Sequence, residues 1–243
     1  MSARLTPPAV EYPDSDGRRM AENDEQFLWL TTIKDNLDDL YRDRPDVYVA
    51  GDHLIYAEEG LPKRRRAPDV YVAFGRPKRK RGSYKVWEEG GVFPQVVFEI
   101  RSPGDRAGPL ARKLHFYRHY GAEEYYLYDP QRHTLVTYRP SAAGLDPLTG
   151  PDALVSPRLD GVRFDLTGPE LVIRRPDGQP FTTSLEIRRR EREVRKQAEA
   201  ERRRADAALR RVDAAQRQGD ADRQRADALA AKLRELGLDP DAL

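Results

Sequence analysis

Val96-Val97-Phe98-Glu99-Ile100 closes an apolar run that begins at Val92, and it sets one carboxylate inside what otherwise reads as a strand. Burying a carboxylate without a partner costs several kcal/mol or shifts its pKa until it is neutral, so such an acid usually meets a metal, a base or water at a strand end. An edge strand with Glu99 facing solvent fits the same letters. Downstream, Ser102-Pro103-Gly104 breaks the chain. Leu110, Leu114 and Tyr117, with Lys113 and Arg118 between them, then read as a helix closed by Gly121. Glu124 to Asp129 reads as a strand ended at Pro130, with Leu135 to Arg139 as its hairpin partner. From Ser141 to Pro180, alternation is weak and Pro and Gly are frequent, which predicts short strands and loops.

Upstream, Lys78 to Gly91 is basic and contains Gly, a loop or short helix, and Asp69 to Phe74 is a strand after Pro68. Val47 to Ala50 and Leu54 to Ala57 read as strands, and Gly51-Asp52 between them supplies the turn chemistry of a hairpin. Glu22 to Tyr41 places Phe27, Leu30, Ile33, Leu37 and Leu40 at helical spacing, and Pro45 ends that helix. Helix, strands, helix, strands is an α/β order with a mixed sheet.

A chain of 243 residues holds one core of ordinary size and an appendage. Charged residues make up 35%, above the roughly 25% usual in globular proteins, so one stretch must be solvated. The division expected is a disordered segment over 1–19, a domain over 20–184 and a charged helical tail over 185–243. Net charge is only +2, so any attraction to nucleic acid rests on local clusters. The absence of cysteine removes disulfides, thiolate metal sites and cysteine nucleophiles, leaving oxygen or imidazole as metal ligands. No apolar run has signal-peptide length or the ~20 residues of a membrane span, so a cytoplasmic protein is expected.

Asp69 follows Pro68 at the start of its strand, where Pro-Asp can be a simple turn. If its strand neighbours that of Glu99, both carboxylates converge at one sheet edge. Two carboxylates with waters and a phosphate oxygen suit a hard cation such as Mg²⁺ (or Mn²⁺), which polarises phosphate and supplies hydroxide near neutral pH.

Pro68-Asp69, Phe98-Glu99-Ile100-Arg101-Ser102-Pro103, Lys113 with Tyr117, Gly121 and Glu124-Tyr125-Tyr126-Leu127-Tyr128-Asp129-Pro130 occur in that order. Together they resemble the Uma-type restriction endonucleases (the Uma two family) of the PD-(D/E)XK nuclease superfamily, over roughly Glu22 to Leu171. The resemblance implies a restriction-endonuclease-like core, a four-stranded mixed sheet flanked by helices, with Asp69 and Glu99 as divalent-metal ligands. The superfamily's lysine two residues after the second acid is replaced by Arg101, which stays protonated and cannot act as a base, though it can contact phosphate. Lys113 on the following helix is the position that matches the lysine role in the resembling family. A cation there would stabilise charge at phosphorus or orient the attacking water, and the plain alternative is a surface lysine. Glu22 or Glu25 on the first helix could complete the metal shell.

Two basic runs, Lys63-Arg64-Arg65-Arg66 and Arg76-Pro77-Lys78-Arg79-Lys80-Arg81, bracket the strand of Asp69. They read either as solvated loops or as phosphate contacts through Lys63, Arg64, Arg65, Lys78 and Arg79, with Tyr84 or Trp87 stacking on an unpaired base. His53, His115, His119 and His133 have no triad or zinc spacing, although His115 and His119 are four apart. The expectation is a Mg²⁺-dependent endonuclease acting on DNA, with Asp69, Glu99 and Lys113 catalytic. The other reading is an inactive nuclease-fold protein that binds DNA or acts as a scaffold through its tail.

Leu185 to Leu236 is rich in Ala, Arg, Glu, Gln and Leu and free of Pro until Pro240, which predicts one continuous helix. Ile187, Val194, Ala208, Ala215, Leu229 and Leu236 share one heptad position, and Ala198, Ala205, Val212, Ala226 and Leu233 the other. Glu191, Glu201, Gly219 and Asp222 interrupt the seam. A weak coiled-coil homodimer and a single solvated helix held by i to i+4 pairs both fit.

Overall fold

A computed structural model of the chain describes residues 10–15, 17, 21, 23–141 and 144–235. The chain separates after Ser184 into two compact units. The first contains helices α1 (Asp24–Leu40) and α2 (Ala107–Tyr120) and all the strands. Those strands are β1 (Val47–Gly51), β2 (Ile55–Tyr56), β3 (Arg65–Arg66), β4 (Val70–Phe74), β5 (Tyr84–Lys85), β6 (Val96–Ile100), β7 (Glu124–Asp129), β8 (Thr134–Ser141), β9 (Gly144–Pro147), β10 (Val155–Ser156), β11 (Val162–Asp165) and β12 (Val172–Arg174).

The main sheet has six strands in the order β1-β4-β6-β7-β8-β9, two more than the four-stranded core expected. Within this sheet only β6 and β7 run parallel, and α2 is the crossover that a parallel neighbour requires. Every residue of β6 is buried because both faces of the sheet are covered, which explains an unbroken apolar run in place of alternation. Val96, Phe98 and Ile100 join Val70 and Val72 beneath Leu30, Ile33 and Leu37 of α1. On the other face, Val97 joins Tyr71, Ala73 and Tyr125 beneath Phe116 and Tyr117 of α2. Each fully buried Val, Leu, Ile or Phe contributes about 1.5–3 kcal/mol, so the two helices are held by the sheet more than by propensity.

Asn23 caps α1 by accepting from the Gln26 amide at 2.8 Å. The buried stripe starts at Leu30, because Phe27 is 47% exposed, and Trp29 in the second turn packs edge-to-face on Tyr128. Gly121, at φ 102°, ends α2 in the left-handed region that favours glycine.

The hairpin expected over 47–57 does not form. β1 pairs with β4, while β2 pairs with β3 and β5 in a separate small sheet. Gly51 answers a close approach: a Cβ there would lie 3.0 Å from the Asp69 carbonyl oxygen and 3.1 Å from Leu30 Cδ2. The region after Ser141 does yield short strands, with β10, β11 and β12 forming a third, antiparallel sheet. Within the segment read as disordered, residues 10–15 have no helix or strand, yet Tyr12 packs on Tyr56 and Trp87. The remainder of 1–19, apart from Gly17, lies outside the described residues.

The second unit is helix α3, which starts at Ser184 and runs to Glu235. Val194, Leu209, Val212 and Leu229 are each at least 60% exposed, and Leu236 lies outside the described residues. Among the described residues no helix is long and apolar enough to cross a membrane.

Candidate metal centre

β4 and β6 are antiparallel neighbours with Val70 opposite Phe98, so Asp69, one residue earlier, comes across from Glu99, one residue later. The two acids therefore meet at one end of the sheet, at 6% and 2% exposure. β6 lies between β4 and β7, which excludes the edge-strand reading of Glu99.

Each of the four carboxylate oxygens accepts a hydrogen bond. Asp69 Oδ2 takes the Ile100 N–H at 2.6 Å, and Oδ1 takes Gln26 Nε2 at 3.1 Å. Glu99 Oε1 takes the Tyr117 hydroxyl at 2.7 Å, and Oε2 takes Lys113 Nζ at 2.6 Å. Lys113 and Tyr117 are four residues apart on α2 and so reach the acid from one helix face. Lys113 is thus an ion-pair partner of the site and not a plain surface lysine.

Burial, and after it the negative charge of Glu99, push the Asp69 carboxyl well above the usual carboxylate range. Burial opposes the charge of Lys113, but Glu99 and Asp69 together raise its pKa above the ordinary lysine value. The ammonium is a fixed cation at neutral pH and not a base. Burial and then Glu99 also raise the Tyr117 phenol, which stays a hydrogen-bond donor.

Gln26 is the residue of α1 that reaches the acids, while Glu25 is exposed and Glu22 lies outside the described residues. Only the tertiary packing of α1 reveals Gln26. Tyr117 had a signal in its spacing from Lys113. Arg101 turns to Asp129, bonding its Oδ2 at 3.1 Å, and its own backbone N–H donates to the Tyr128 carbonyl.

The two basic runs fall in different places. Arg64 bonds Glu58 at 2.7 Å, Arg65 bonds the Tyr56 hydroxyl at 3.1 Å, and Arg66 lies over the Phe116 ring of α2. Lys63 is exposed. The second run leaves β4 at the end remote from Asp69: Lys78 Nζ donates to the carbonyl of Tyr41, which follows the last residue of α1, whereas Gln26 sits in its first turn. A helix of 17 residues is about 25 Å long, so Lys78 and Arg79 do not flank the acid pair. They are also engaged within the protein, Arg79 and Arg81 both bonding the buried Glu89. Tyr84 is fully buried and cannot stack on a base, and Trp87 is packed on Tyr12. His115 and His119 stack on exposed helix surface, and no third metal-ligating side chain joins them among the described residues.

Glu89→Ala should leave Arg81, whose side chain is 4% exposed, as an unpaired buried charge. The expected loss is about 3–5 kcal/mol, a fall in melting temperature of roughly 6–20 °C. Because Arg81 first, and Arg79 with it, hold the Glu89 carboxyl below its ordinary value, this contribution is present at neutral pH and lost as acid titrates the folded carboxyl. Thermal melts at pH 7 and pH 3 check both statements, and equal melting temperatures at pH 7 would refute the first.

Oxygen donors suit a hard divalent cation, and both burial and the charge of Glu99, which raise Asp69, are offset by a cation beside it. No group of three His, Cys, Asp or Glu is assembled among the described residues. A divalent cation held here by two carboxylates would complete its shell with waters.

Fold and centre together define a mixed α/β protein with an oxygen-donor acid pair at the end of its main sheet. The chain belongs to the Uma2 family, whose model, described as "Putative restriction endonuclease", matches residues 5–167. A solved structure from Anabaena variabilis, titled a "putative nuclease belonging to DUF820", is similar at 15% identity and a TM-score of 0.42, covering 55% of this chain and 72% of that one. No curated protein matches. The family match stops short of α3.

Proposed function

We propose that the unit preceding α3 is a divalent-metal-dependent endonuclease that hydrolyses phosphodiester bonds of DNA, with Mg²⁺ or Mn²⁺ at Asp69 and Glu99. The observation that carries this reading is the meeting of two buried carboxylates at neighbouring strand ends with a protonated lysine on one of them. The bound cation supplies a polarised phosphate oxygen and a water of lowered pKa. Asp69 and Glu99 fix its position from the sheet. Tyr117, fully buried, holds Glu99 at Oε1 and leaves Oε2 on the Lys113 side. Lys113 moves from Glu99 to the charge that develops at phosphorus and orients the attacking water. Exposed Lys63 is assigned to duplex phosphates, and Arg64, Arg65 and Arg101 join it there only by leaving Glu58, Tyr56 and Asp129, which sets salt-sensitive, sequence-independent affinity.

Purified protein incubated with plasmid should nick or linearise it with Mg²⁺ or Mn²⁺ and not in EDTA. Binding without cleavage would favour the second reading, an inactive nuclease-fold scaffold, which the engagement of Arg101 with Asp129 supports.

The tail belongs to the same reading as a weak self-association element. Its exposed Ile187, Val194, Val212 and Leu229 have no buried contacts to lose on pairing, and its alanine layers bury little area. Sedimentation at tens of micromolar should give a mass above the monomer for the full chain, and a monomer for a chain ending at Ser184. Equal monomeric masses would remove the tail's role, and a dimer that survives truncation would place the interface before α3.

A further inference from the structure

Gln26 stands in the first turn of α1, three residues after the cap Asn23. Its Nε2 donates to Asp69 Oδ1 at 3.1 Å and to the Ile100 carbonyl oxygen at 3.3 Å. A primary amide nitrogen has two hydrogens, and here both are directed at oxygens at the end of the sheet. Asp69 Oδ1 is also the oxygen left over after Ile100 N–H has taken Oδ2, so it is the one that faces a cation.

We propose that Gln26 is a ligand of that cation through its side-chain oxygen, Oε1, reached when the terminal amide turns by half a revolution. The proposal deepens the metal reading above and rests on it. Such a turn exchanges Oε1 and Nε2 and leaves the rest of the side chain in place. Oε1 then stands close to where Nε2 stands, about 3 Å from Asp69 Oδ1 and from the Ile100 carbonyl oxygen. Mg²⁺ binds oxygen at about 2.0–2.1 Å in octahedral geometry, which places neighbouring ligand oxygens about 3 Å apart. The two distances from the amide, 3.1 Å to Asp69 Oδ1 and 3.3 Å to the Ile100 carbonyl oxygen, are therefore close to that spacing.

The charge argument points the same way. An amide oxygen is uncharged, so it would add a ligand without adding a third negative charge beside the two buried carboxylates. In the structure the amide presents its nitrogen to both oxygens.

Titration calorimetry with Mn²⁺ on the full chain tests this, with Asp69→Asn, Gln26→Leu and Gln26→Glu alongside wild type. Gln26→Leu should weaken Mn²⁺ binding by about tenfold or more. Gln26→Glu, which puts an anionic oxygen in the same place, should tighten it at least as much as the leucine variant weakens it. Binding that depends on Asp69 but is unchanged in both Gln26 variants would overturn the ligand role and leave the metal reading intact. Tighter binding in Gln26→Leu would also overturn it, by making the amide a competitor of the cation. If wild type takes up no Mn²⁺ in an Asp69-dependent way, the metal reading falls and this proposal with it. Should the leucine variant fail to fold, Gln26→Glu decides alone, and an affinity equal to wild type goes against the proposal.

Discussion

Asp69→Asn should abolish metal-dependent cleavage of plasmid and, in the same protein, raise the melting temperature measured in EDTA. A bound cation contributes several kcal/mol to the transition state, so losing it lowers the rate by about 10³-fold or more. The gain in stability has a separate cause. The folded Asp69 carboxyl sits above the ordinary carboxylate range because of burial and then Glu99, so its ionisation opposes folding. Asparagine keeps the shape, can accept the Ile100 N–H through its oxygen, and carries no charge. Relief of about 1 kcal/mol would move the melting temperature by roughly 2–4 °C in a chain of this size. The sign fixes the pH window: the folded state holds its proton where the unfolded state has lost it, so the cost is absent below the ordinary aspartate value of about 3.9 and grows as pH rises above it. Melts of wild type and variant in EDTA from pH 3 to pH 8 should therefore coincide in acid and separate towards neutrality. A variant that melts below wild type at pH 7.5 would make Asp69 a structural hydrogen-bonding residue, and the site would lose its main support.

Lys113→Met should lower the cleavage rate by about 10²–10³-fold while Mn²⁺ still binds. That is the usual loss when one preorganised group that stabilises transition-state charge is removed. Metal uptake is spared because the ammonium competes for Glu99 Oε2 and does not create the site. Lys113→Arg keeps the charge but changes its shape, so partial activity is expected. Adding Arg101→Lys to Lys113→Met should restore nothing, since that position is drawn to Asp129 and away from the acids. Single-turnover cleavage alongside Mn²⁺ titration separates the two effects. Full activity in Lys113→Met would return the residue to an electrostatic partner of Glu99 and nothing more.

Much of the main sheet could be read in the sequence because its strands are declared locally. β6 is a continuous apolar run, β7 ends at Asp-Pro, and α2 ends at Gly121, each a signal contained within a few residues. Asp69 and Glu99 could each be noticed as an acid against an apolar strand, but joining them as a pair rested on the family resemblance, because no local signal makes β4 and β6 neighbours. What failed was pairing between distant segments. Gly51-Asp52 carries turn chemistry, yet the glycine is there because the backbone of Asp69 passes too close for a Cβ. The second basic run has the composition of a solvated loop, and only the folded chain brings the buried Glu89 beneath Arg79 and Arg81. Gln26 is one polar residue among many on a helix surface until the packing of α1 sets it on Asp69.

The charge of α3 is not spread evenly along it. From Ser184 to Arg211 it carries 11 Lys and Arg against 6 Asp and Glu, and from Val212 to Glu235 five of each. Two such rods laid side by side in the same direction would bring their cationic halves together, whereas opposed directions set each cationic half against a neutral one. If two chains pair through α3, electrostatics would favour the antiparallel arrangement, most strongly at low salt. At 1.5 Å per residue, the 52 residues of α3 span about 78 Å. In an antiparallel pair with full overlap, the two Ser184 ends stand apart by about that distance, close to the length of 23 base pairs at 3.4 Å each. Partnership through this helix would then act as a spacer between two distant events on a duplex, and not as a clamp that brings two cuts to one place.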